Sequence, residues 1–150
     1  MHISWSFLDK RKAAINAMEA FDSMDFIVKH SDEEIQRVEN RMVGVGSQNL
    51  DGMPHAHNPQ AAEDRILTGI EEIDTVKDRY RQAVEYMNWY MPAWSQLSED
   101  ERYVLEMFYT DEIESPALRV AEHFEIERSS AYNKKNRALD HLTMLLYGKA

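Results

Sequence analysis

The stretch SPALRVAEHFEIERSSAYNKKNRALDHLTMLLYG, Ser115 to Gly148, decides how this chain is read. Ser115-Pro116 supplies N-cap and first-turn chemistry for a short helix through Leu118, Val120, Ala121 and Phe124. After a turn of about three residues, helical spacing resumes from about Arg128. Ala131, Ala138, Leu139, Leu142 and Leu145 then point inward, and Gly148 is placed to stop the helix. Two helices joined by so short a turn, the second one basic, form the helix-turn-helix arrangement whose second helix enters a major groove.

Working upstream, Ser98-Glu-Asp-Glu101 is a capping box followed by Tyr103, Val104, Met107 and Phe108 at helical spacing. It predicts a helix from about Glu99 to near Tyr109. The run from Phe124 to Leu142 is similar to the last two helices of sigma factor region four. Phe124, Ile126, Ala138, Leu139 and Leu142 fall where that family places its core, and Arg128 where it places an arginine near the start of the recognition helix. Leu97 to Tyr109 looks like the helix that opens the same domain. The chain also resembles a narrower group, small phage-encoded regulators with a sigma-like C-terminal domain, related to the autolysin-regulator family of late-gene activators. That resemblance is carried by Gly52-Met-Pro54, Ala83 to Trp89, Pro92-Ala-Trp94, Lys134 to Leu139 and Leu145 to Gly148. It implies control of phage or prophage transcription in the cytoplasm of a bacterial host.

The residues expected to meet DNA follow from position and chemistry. Arginine to guanine and asparagine to adenine are the discriminating pairings, so Arg128 and Asn133 are the expected base readers. Ser129 and Ser130, at the helix N-terminus, are expected on phosphates or bases, and Tyr132 shares their face. Lys134 and Arg137 are expected on phosphates, while Lys135 reads as a solvated side chain. The charge distribution agrees. Of a net charge of -10, residues 128–150 contribute +4 and residues 1–127 therefore -14, an acidic body with one basic terminal helix.

The rest of the chain also reads as helical, giving an all-α fold. A single long helix is expected from about Leu8 to Met42, with a weak point near His30 and a possible capping box at Ser31-Asp-Glu-Glu34. Val43 to Asn58 collects glycines and turn formers and reads as a loop. Asn58-Pro59 then starts a second long helix, which must end or kink at Pro92. Along that helix Ile66, Ile70, Ile73, Lys77, Tyr80, Val84, Met87 and Met91 keep a four-three spacing beside a second row of Gly69, Val76, Ala83 and Tyr90. So wide an apolar face suits a bundle, within one chain or between two copies. Residues 1–95 are thus expected to form a helical hairpin that mediates self-association, a dimer foremost, and residues 96–150 a DNA-binding head. The aromatics Tyr86, Trp89, Tyr90 and Trp94 read as the joint between them.

Other chemistry finds little support. The absence of cysteine excludes disulfides, thiolate metal sites and a cysteine nucleophile. His55 and His57 with Asp51 offer too few ligands at recognisable spacing for a metal, and Glu71, Glu72, Asp74 and Asp78 read as a solvated face. No phosphate-binding loop, dinucleotide fingerprint or nucleophile elbow is present, so no enzyme and no cofactor are expected. Neither a signal segment nor a membrane span is expected, and hence no membrane partner. Two alternatives to a DNA reader stay open: a head that docks on RNA polymerase or another factor, and a DNA-packaging adaptor.

Overall fold

A computed structural model of the chain describes residues 9–44 and 59–148, all of whose regular elements are α-helices. These are α1 (Lys10–Glu19), α2 (Phe21–Gly44), α3 (Pro59–Gln96), α4 (Glu99–Tyr109), α5 (Pro116–Phe124) and α6 (Arg128–Tyr147). None of them is long and apolar enough to cross a membrane. Asp51, His55, His57 and Asn58 lie outside the described residues, as does Gly52-Met-Pro54.

The N-terminal segment is interrupted at Ala20 and not near His30. Asp9 caps α1 through the Lys12 N–H, and the Ala20 N–H closes the helix on the carbonyls of Asn16 and Met18. His30 sits inside α2 with its Nδ1 3.0 Å from the Phe26 carbonyl and its ring stacked on Phe26. Ser31 starts no helix. Its hydroxyl bonds back to the Ile27 carbonyl and is buried, so the apparent capping box is spent inside a continuous helix. α2 also runs through Val43 and Gly44, two residues into the expected loop.

α3 does not end at Pro92 but continues to Gln96. A proline removes the bond to the carbonyl four residues earlier, and here both Pro92 and Asn88 are exposed, where water can satisfy that carbonyl. Tyr90, Ala93 and Leu97, buried on the other side, hold the segment in place.

The contacts divide the chain elsewhere than at residue 95. One compact unit joins the residues up to Asp22 with those from Tyr86 onward, and the other is Ser23–Glu85. In the first, α6 is the central element, against which α1, α4 and α5 pack. One core cluster gathers Met18, Tyr90, Leu105, Leu139, Leu142 and their neighbours. A second, of Val104, Val120, Ala121 and Ala131, is flanked by Phe108, Phe124 and Ile126. Of the expected joint aromatics, Tyr86, Tyr90 and Trp94 belong to the first cluster and stack in series, the Tyr86 hydroxyl donating to the Ala17 carbonyl, while Trp89 is exposed and meets the Tyr147 ring edge-on. Burial pushes both the Tyr86 and Tyr90 phenols well above their ordinary pKa.

In the second unit α2 and α3 run antiparallel, as the ion pairs Arg41–Glu72 and Arg79–Glu34 require. Val38, Val76 and Ala83 are its buried apolar residues.

Candidate nucleic-acid interface

The placement of α6 begins in the turn before it. At the end of α5, Glu125 takes a left-handed backbone conformation, φ 54°. Its N–H bonds back to the carbonyls of Ala121 and Glu122, and the Ile126 N–H reaches the Ala121 carbonyl at 2.9 Å. This closure satisfies the last carbonyls of α5 and turns the chain within residues 125–127. Ile126 then packs against the Val104–Val120–Ala131 cluster, fixing the angle at which α6 departs. At the other end of α5, Pro116 opens the helix as expected, but Ser115 lies at φ 53° and its side chain makes no capping bond. Leu118 is 44% exposed; the inward set of α5 is Ala117, Val120, Ala121 and Phe124.

α6 presents two faces. Ala131, Ala138, Leu139, Leu142, Thr143 and Leu146 are buried. Of the residues expected to meet DNA, Arg128, Ser129, Tyr132, Asn133 and Arg137 are exposed along the first half of the helix. They fall into two adjacent four-residue rows, one from Arg128 to Tyr132 and one through Ser129, Asn133 and Arg137. Asn136, absent from the expected set, continues the first row and is also exposed; its spacing from Tyr132 was the available signal. Ser130 and Lys134 are half-buried at the edge of this surface.

Aromatic rings hold two of the cations. The Lys134 ammonium lies 4.6 Å from the centre of the Phe124 ring. Lys135 is not merely solvated, since its ammonium stands 5.3 Å from the centre of Phe108 and 5.4 Å from that of Tyr132. Tyr132 in turn leans on Phe108 with ring centres 5.8 Å apart.

At the N-terminus of α6, Glu127 has the extended backbone of an N-cap, yet its side chain makes no capping bond. The opening N–H groups therefore receive no cap from that side chain, and the basic Arg128 is the first residue of the helix. Asp140, the one acidic residue of α6, is paired at 2.7 Å with Arg11 of α1.

Between α4 and α6 lies a cleft of about 310 Å³ lined by Ser98, Asp100, Glu101, Val104, Lys134, Arg137 and Ala138. The capping box of α4 forms as expected, with Ser98 and Glu101 bonding reciprocally. Glu101 also meets His141 Nδ1 at 2.7 Å. Burial raises its pKa, but the Ser98 N–H and His141 outweigh that and leave the carboxyl below its ordinary value.

Of the four acidic residues singled out on α3, Glu72 pairs with Arg41 and Asp78 with Arg81, while Glu71 and Asp74 are exposed. No group of three or more acidic or histidine side chains suited to a metal occurs among the described residues. No protein-family model, curated protein or solved structure matches the chain.

Proposed function

We propose that this chain is a sequence-specific, double-stranded-DNA-binding regulator of phage or prophage transcription. In this reading α5, the turn 125–127 and α6 act as a helix-turn-helix of the sigma region four kind, with the start of α6 in the major groove. The observation that carries it is that Arg128, Ser129, Asn133, Asn136 and Arg137 are all exposed along the first half of the basic helix, with Ser129, Asn133 and Asn136 on one face and the two arginines at its opposite edges. Arg128 and Asn133 read bases, and Asn136 joins them as a second carboxamide. The uncapped N–H groups of α6, with Ser129 and Ser130, approach phosphate. Arg137 and Lys134 complete the backbone contacts, Lys134 being held toward its task by Phe124. The acidic body repels DNA everywhere else and so orients the encounter. Two copies joined through the N-terminal helices engage two half-sites.

The second reading, a head that docks on RNA polymerase or another protein, draws on Glu122, Glu125 and Glu127. All three are exposed around the turn, where their charge opposes a phosphate backbone.

Fluorescence anisotropy on tiled DNA fragments from the gene's own neighbourhood, across a salt series, separates the two. A DNA reader prefers one fragment, loses affinity steeply with salt, and loses about 1–3 kcal/mol of binding in Arg128→Ala or Asn133→Ala. Arg37→Ala, exposed on α2, serves as the unaffected control. No preferred fragment at any salt, with all variants alike, defeats the DNA reading and leaves the protein-docking one.

A further inference from the structure

α3 carries two apolar rows, and within its unit only one is fully used. Gly69, Val76 and Ala83, seven residues apart, are buried. Gly69 stands so close to Met42 of α2 that a Cβ there would run into the Met42 side chain. The adjacent row is only partly covered: Ile73 and Val84 are half-buried, while Ile66, Ile70, Lys77 and Tyr80 are exposed. Ile66, Ile70 and Tyr80 are 45%, 46% and 41% exposed. At helical spacing, Glu72 and Arg79, which pair with α2, fall on one side of the buried row and this open row falls on the other.

The four-three spacing of the open row is that of a coiled-coil seam, which another helix of matching period covers. The charges decide what covers it and in which direction. In a parallel pair of identical helices Lys77 would face Lys77, two like charges within the seam. An antiparallel pair removes that conflict. With Lys77 opposite Tyr80 of the second copy, an ammonium meets an aromatic face and Ile73 meets Val84. The same register sets Asp74 beside Arg81 of the second copy, and twofold symmetry repeats every contact. Asp74, Lys77 and Arg81 are all exposed, and Arg81, which pairs with Asp78 on its own helix, can exchange that solvent-exposed partner for Asp74 of the second copy.

We infer that the Ile66–Val84 face of α3 is covered by the same face of a second copy, antiparallel, in the register that pairs Lys77 with Tyr80 and Asp74 with Arg81. This deepens the self-association in the proposed function and stands independently of whether the head reads DNA. A buried lysine at a seam position weakens the pair but selects its direction, since only one direction gives that charge a partner.

Sedimentation equilibrium of the full chain is expected to show a dimer. Ile70→Asp, on an exposed position, should raise the dimer dissociation constant more than about tenfold, with far-ultraviolet circular dichroism unchanged. Asp74→Arg and Arg81→Asp should each weaken the dimer, and the two together should restore it. Because the protein has no cysteine, direction can be read by oxidation. A mixture of Lys77→Cys and Tyr80→Cys chains should cross-link between the two variants more completely than either variant alone. A monomeric wild type, a dimer insensitive to Ile70→Asp, or better linkage of Lys77→Cys to itself would overturn the inference. Retained DNA binding by a monomer would overturn it while leaving the DNA reading intact.

Discussion

Glu125, in the turn between α5 and α6, holds a left-handed conformation that β-carbon sterics disfavour and that glycine adopts without cost. Relieving that strain should stabilise the fold: Glu125→Gly is expected to raise unfolding free energy by about 1 kcal/mol in a urea titration. Nothing in the local sequence marks the position, because the conformation is imposed by the closure of Ile126 on Ala121. Glu101 carries a pH effect of definite sign. Its folded pKa lies below the ordinary carboxylate value, so its ionised form stabilises the fold above that range. This contribution disappears as pH falls through the folded pKa. Glu101→Gln should therefore flatten the acid limb of stability against pH, measured by thermal unfolding at closely spaced pH values. Its bond to Ser98 was legible from the capping box; its bond to His141, forty residues away, was not.

At the scale of elements, local signals succeeded where nothing distant competed with them. α4 starts at its capping box and α5 at Pro116, although Ser115 makes no capping bond, and α6 starts at Arg128 where the helical spacing resumes. The capping signature at Ser31 and the stop at Pro92 were overridden, since burial of neighbouring side chains kept each helix going through a residue that could have ended it. Gly69 shows the same competition in another form. Alanine there would gain helix propensity of about 1 kcal/mol but would collide with Met42. Gly69→Ala is accordingly expected to stabilise the chain more in a Met42→Ala background than in wild type. A double-mutant cycle by chemical denaturation should give a coupling of roughly 1 kcal/mol, and no coupling would mean that the two helices are not in close approach.

For the whole molecule the decisive fact is that α1 belongs with the C-terminal helices. Met18, 1% exposed, shares a core with Tyr90, Leu105, Leu139 and Leu142. Met18→Ala should cost about 2–5 kcal/mol, and hydrogen exchange should show the loss in α6 as well as in α1. A fragment of residues 96–150 would leave Leu105, Leu139 and Leu142 without Met18 and Tyr90. It is expected to unfold without a cooperative transition, whereas the full chain should show one in the same calorimetric scan.

Helical class, the bounds of α4 and α6, and the identity of most residues on the outer face of α6 were already determined by the sequence. They depend on spacing and capping within a few turns, and those interactions are encoded by neighbours in the chain. The break at Ala20, the passage of α3 through Pro92, the rings beneath Lys134 and Lys135, and the joining of α1 to α6 were decided by tertiary structure alone. The passage through Pro92 and the joining of α1 to α6 rest on burying side chains from segments distant in sequence, and no local pattern records which segments those will be.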